Sequence, residues 1–175
     1  MTVQDTDDQL RRLSARVGVL ERERTRRTVS DAYARFYAAM ALGALVLLFL
    51  PILSDVVVKD DGSTMTQRYG TLWEMSDNTG GESAVLGILL VAGFVVLLAM
   101  ASVQVRAPGH PISIAVTAFI LFLMVVGKPG TGEPTPDLAA GGIAGAVLCV
   151  AAVGTAVVHA VHLHQRSRSV PPEPG

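Results

Sequence analysis

Residues 84–105 read AVLGILLVAGFVVLLAMASVQV, 22 consecutive positions without a charged side chain. As a helix rising 1.5 Å per residue this segment is about 33 Å long, enough to cross a hydrocarbon core of roughly 30 Å with some tilt. One such run could be the central helix of a soluble core. Three more argue otherwise: Phe36–Leu53 (FYAAMALGALVLLFLPIL), Pro111–Gly127, and Leu138–Val158 with an apolar shoulder to Val161 are also free of charge. Charged residues make up 17% of this 175-residue chain, against about 25% in an ordinary globular domain. Too few polar residues remain to cover four apolar helices in water, so hydropathy predicts four spans.

The charges then give an orientation. Residues 1–35 hold eight Arg, the connection after run two holds Arg106, and the tail holds Arg166 and Arg168. The two alternate connections hold only Lys59, Arg68 and Lys128. Basic residues stay on the cytoplasmic side, so both termini are expected there, with a net charge of +4 inside and −5 outside. The expected fold is an all-α membrane protein. It is a four-transmembrane-helix bundle with a short N-terminal cytoplasmic helix and a small β-hairpin in the first outer loop. Its segments are a cytoplasmic Arg-rich helix (1–32), span one (33–53), an outer loop (54–83), span two (84–105) and a cytoplasmic turn (106–110). Span three (111–127), an outer connection (128–137), span four (138–161) and a disordered cytoplasmic tail (162–175) follow. Some 35 residues precede the first run and no small-residue cleavage site follows it, unlike a signal peptide.

Local signals refine this layout. Thr28-Val29-Ser30-Asp31 fits a capping box and predicts that the first spanning helix begins there. Asp31 and Arg35, four apart, can pair. Tyr33, Phe36 and Tyr37 suit an interfacial aromatic belt, and Trp73, the only Trp, suits an interface anchor or partner contact. Upstream, Leu10, Leu13, Val17 and Leu20 alternate three and four apart, two heptads of a/d positions that Arg24 and Arg27 then end. That helix could be solvated, lie on the inner leaflet, or contact another chain. In the outer loop, Asp61-Gly62 between Asp55–Asp60 and Ser63–Gln67 signals a hairpin. The loop acids Asp55, Asp60, Asp61, Glu74, Asp77 and Glu82 lack EF-hand spacing and read as solvated.

Four spans, both ends inside, and a strand-bearing first outer loop with a Trp stretch resemble the tetraspan claudin-type architecture. The shared residues are Gly70, Leu72 and Trp73 in a GTLW string. That family's first loop carries a cysteine pair and this loop has none, so no site residues are carried over. The 12 Arg against two Lys, with abundant Ala, Val and Gly, resemble proteins of high-GC bacterial genomes.

Candidate chemistry is sparse. On a helix, Gly141, Gly145, Cys149, Ala152 and Ala156 share one small-residue face, suited to packing within the bundle or against another protein. All four His (His110, His159, His162 and His164) fall near the predicted cytoplasmic side. His159 and His162 could share a metal, but a closed zinc site needs four ligands and the sequence completes none. No run carries a charged group of the kind a proton-coupled transporter keeps, and no P-loop, dinucleotide fingerprint or HExxH is present. The expectation is a non-enzymatic membrane protein without cofactors or nucleic-acid partners, in contact with membrane lipid and a protein partner. It would be an accessory, assembly or scaffold subunit of an envelope or membrane complex. The alternatives are a small transporter or channel, and a metal or haem protein using His159, His162 and His164.

Overall fold

The computed structural model describes residues 3–60, 63–78, 81–105, 109–128 and 136–168. It is mostly helical: α1 (Val3–Leu47), α2 (Leu72–Asn78), α3 (Gly81–Val103), α4 (Gly109–Gly127) and α5 (Ala140–Arg168). Two strands, β1 (Val56–Asp60) and β2 (Ser63–Gln67), pair antiparallel from Val56 opposite Gln67 to Asp60 opposite Ser63. Asp61 and Gly62, the expected turn, lie outside the described residues.

Three helices are long and apolar enough to cross a membrane: α3, α4 and α5. Only 28, 22 and 28% of their apolar windows is buried inside the protein. The rest faces outward, an arrangement suited to lipid. The four long helices pack in the cyclic order α1–α3–α4–α5, each touching two neighbours. Their core takes Tyr37, Met40, Ala41 and Ala44 from α1 and Phe94, Leu98 and Ala101 from α3. Ile114, Ala118 and Leu121 come from α4, and Cys149, Ala152 and Ala156 from α5. The three-and-four spacing puts one face of each helix inward. In a membrane, where lipid tails are as apolar as Leu, association of such helices would rest on close packing and interhelical hydrogen bonds, and the Ala-rich core suits that.

Several expectations are corrected. The helix does not begin at Thr28. It runs unbroken from Val3, because no Pro interrupts 3–47 and Arg, Glu and Leu favour helix. Thr28 sits mid-helix, where its hydroxyl donates back to the Arg24 carbonyl at 3.0 Å. Among the described residues the ion pair on this stretch is Glu23–Arg27 at 2.7 Å, not Asp31–Arg35. Residues 162–168 belong to α5 rather than to a disordered tail; 169–175 lie outside the described residues. The helix of the first run stops at Leu47 instead of continuing to Leu53. Pro51 has no N–H to donate and disfavours helical geometry before it, and 48–50 tighten into a turn of i−3 bonds.

Beyond that turn the backbone of Pro51–Ser54 is satisfied sideways. Ile52 and Leu53 donate to the Gly70 carbonyl at 2.8 and 3.4 Å. Pro51 and Ile52 carbonyls accept from Gly141 and Ala139 at 3.0 and 2.9 Å. Ser54 exchanges bonds with Asp137 through both N–H and hydroxyl. This short segment therefore ties the 54–83 loop to the start of α5. Leu53, Tyr69, Met75 and Ala84 form a second small core over it. Gly70 has a φ of 59°, a left-handed conformation that suits glycine. It breaks the chain just before α2, and Thr71 and Glu74 then cap that helix reciprocally. The Thr71 N–H donates to Glu74 Oε2 at 2.8 Å and the Glu74 N–H to Thr71 Oγ1 at 3.2 Å. At the end of α4, Lys128 takes a φ of 47° and its N–H returns to the Met124 carbonyl at 3.1 Å, a left-handed helix cap.

Candidate functional site: a tyrosine–histidine cluster and three surfaces

The α1–α5 seam is the sparsest of the four helix interfaces, and polar contacts hold it at both ends. At the loop end these are the bonds from Ala139 and Gly141 to 51–52. At the opposite end, Tyr33 and Tyr37 of α1, one turn apart, meet His159 and His162 of α5, three apart. The Tyr37 hydroxyl is hydrogen-bonded to His159 Nδ1 at 2.9 Å, and the Tyr33 hydroxyl to His162 Nδ1 at 2.6 Å. The Tyr33 and His159 rings stack at 4.2 Å with 17° between their planes. Tyr37 is 0% and His159 3% exposed, so these polar groups answer one another away from solvent. A neutral imidazole protonated on Nε2 accepts the Tyr proton at Nδ1.

This cluster changes the reading of four residues. Tyr33 and Tyr37 suit, by sequence, interface anchors or partner contacts. Instead they turn inward, because α1 presents positions 33, 37, 40 and 44 to its neighbours and Phe36 outward. His159 and His162 were considered as metal ligands. Here each spends Nδ1 on a Tyr hydroxyl, and among the described residues no three or more His, Cys, Asp or Glu gather. His164 is exposed on the last turns of α5. His110 bonds Gln104 Oε1 through Nε2 at 3.2 Å, linking α3 to α4. The pairing was legible in part: both aromatic and both imidazole positions were visible, but only the fold brings 33 against 162.

The small-residue face is buried within the chain. Gly141, Gly145, Cys149, Ala152 and Ala156 all lie inward. A Cβ at Gly141 would meet the Pro51 carbonyl oxygen at 2.5 Å, and one at Gly142 would meet that of Ile52. These glycines therefore let α5 start directly against the 51–52 backbone. At Gly145 the nearest atom is Leu47 Cδ1 at 3.7 Å, an ordinary contact.

Leu13, Val17 and Leu20 are 56, 51 and 64% exposed on α1; Leu10 is on the same helix, with its side chain outside the described set. Trp73 is 46% exposed on α2, which packs against α3. Two of the loop acids have local work: Asp55 accepts the Tyr69 N–H at 3.1 Å, and Glu74 caps α2. The Thr71 backbone N–H, then the Thr71 hydroxyl, holds the Glu74 carboxyl below its ordinary range. Among the described residues, two partly open recesses are small. One of about 70 Å³ is lined by Leu53, Met75, Ala84 and Lys128 among others, and one of about 40 Å³ lies between Ala44, Phe94 and Cys149. Both linings are chiefly apolar.

No protein family, curated protein or solved structure matches the chain.

Proposed function

We propose that the chain is a four-span integral membrane protein, with both termini cytoplasmic and a hairpin-bearing outer loop. It acts by contact rather than by chemistry, as an accessory, assembly or scaffold subunit of an envelope or membrane complex. The fourth span in this reading is the second half of α1. Its buried residues share one core with α3, α4 and α5, while Leu42, Leu45 and Phe49 face outward at 66, 45 and 69% exposure.

The observation that carries the functional reading is the first half of the same helix. From Val3 to about Val29 it continues the span as an unbroken rod roughly 40 Å long, with its described large apolar side chains exposed. Within the bundle, by contrast, the buried polar side chains of the tyrosine–histidine cluster are engaged with one another. Besides Val57 and Trp73 of the loop, the described large apolar side chains exposed outside the spans lie on this projecting helix, and surface of that kind favours a protein contact.

Purification of the full chain in mild detergent with mass spectrometry of what is retained tests this. A second membrane protein held in fixed ratio is the expected result. A chain that runs without any other protein at every detergent level overturns the accessory reading. A reporter fused at Ser63 checks the orientation separately: a cytoplasmic signal there reverses it.

A further inference from the structure

The projecting half of α1 has an apolar stripe, and its direction and charges indicate what covers it. At 3.6 residues per turn, Leu13, Val17 and Leu20 lie within roughly one-sixth of the helix circumference. Tyr37, Met40 and Ala44, which face the chain's own bundle, lie more than a quarter turn away, and Ala41, at the edge of that buried face, lies about one-sixth of a turn from Leu20. The stripe therefore points away from the bundle. The same side of the helix continues downward through Ala38 and Leu42, both exposed. Another molecule can approach along this face without meeting the chain's own α3, α4 or α5.

We infer that a second copy of this chain covers the stripe, through a parallel pairing of the two α1 helices over Leu13, Val17 and Leu20. The inference rests on reading the chain as a membrane protein that acts by contact. If Val17 is an a position and Leu13 and Leu20 are d positions, Arg16 falls at g and Glu21 at e. In a parallel pair the g residue of one helix faces the e residue of the next heptad on the other. Arg16 then meets Glu21 of the second copy, and the symmetry makes this contact twice. Arg24 and Arg27 occupy the next two seam positions; Glu23 of the same helix holds Arg27. The like charges there end the seam after Leu20. Two heptads are too short to hold free helices together in water. Anchoring two copies side by side in one membrane with the same orientation makes their pairing effectively intramolecular, which raises the local concentration of the partner helix.

The test uses the full chain in native membranes. The only native cysteine, Cys149, is buried at 4% exposure, so the unsubstituted chain is the blank. Val17→Cys and Leu20→Cys are each treated with a mild oxidant. The control is Val19→Cys, which is 62% exposed but lies on the other side of the helix. A disulfide-linked band at twice the monomer mass of 18.4 kDa is expected for positions 17 and 20, several-fold stronger than for 19. No such band, equal bands at all three positions, or a band at another mass overturns the second copy as the occupant. Arg16→Glu added to Leu20→Cys should cut the yield several-fold, and Glu21→Arg on top should restore it. Failure of that rescue overturns the parallel register. A cross-linked dimer from a preparation that retains no other protein defeats the accessory reading alone. A retained partner with no cross-link defeats the pairing alone.

Discussion

Removing His159 leaves Tyr37 with a hydroxyl in the core of the bundle and no partner for it. Their bond is 2.9 Å long, with Tyr37 fully buried. An unsatisfied buried hydroxyl costs about 1–3 kcal/mol. His159→Leu also loses the ring stacked on Tyr33, worth about 0.5–1.5 kcal/mol. Tyr37→Phe keeps the buried ring and removes only the hydroxyl, at about 0.5–1.5 kcal/mol. In the double substitution no hydroxyl remains to be stranded. Its cost should therefore fall below the sum of the two single costs by about 0.6–1.5 kcal/mol, the lower figure being typical of interhelical hydrogen bonds in lipid. Reversible unfolding in mixed micelles, followed by circular dichroism across all four proteins of the cycle, measures that difference. The His159→Leu cost alone is a poor measure, because it includes the stack. If the single costs add to within about 0.3–0.5 kcal/mol, the bond does not couple α1 to α5, and the account of that seam fails.

The glycines at the start of α5 should separate by position. Gly141→Ala and Gly142→Ala force a methyl onto the backbone carbonyls of Pro51 and Ile52 and should each cost about 1–3 kcal/mol. Gly154→Ala meets nothing within 4 Å, so it should be neutral or stabilise α5 by up to about 1 kcal/mol; the same unfolding assay ranks all three. The α2 cap should depend on acid in one direction only. Because Glu74 is held below its ordinary carboxylate range, its contribution is complete above the unfolded value near 4.3 and is lost as pH falls through the lowered folded value. Emission from the sole Trp, Trp73, and exchange of the Thr71 amide should stay unchanged from neutral pH to about 4.3 and shift only below it. A transition centred above that value, or an identical one in Glu74→Gln, would count against the cap.

Three long apolar helices were legible because a helix able to cross a membrane needs a composition and a length that stand out in the sequence: 84–105 and 111–127 match α3 and α4 to within three residues, and 138–161 matches the start of α5 to within two, while α5 runs seven residues further. Ends were harder, because they depend on what the backbone meets next. The first apolar run continues to Leu53, but its last residues trade helical bonds for bonds to Gly70, Ala139 and Gly141, partners distant in sequence. The start of α5 depends on the same contacts, so neither boundary is written locally.

One capping rule shows where local reading fails and where it works. Thr28-x-x-Asp31 and Thr71-x-x-Glu74 carry the same signature. A cap needs its first residue outside helical geometry, and nothing upstream of Thr28 breaks the helix, so its hydroxyl turns back onto Arg24. Upstream of Thr71 stands Gly70 with a positive φ, and the box closes with both bonds. The glycine, not the Thr or the acid, separates the two cases. The same reasoning bears on α1 as a whole. Without a break near residue 30, the Arg-rich segment cannot fold away from the span as a separate helix. Its apolar stripe is then held in a fixed direction relative to the bundle, facing away from it, and the second copy is inferred from that direction. A flexible joint at Thr28–Asp31 would have left the stripe free to turn back onto the bundle.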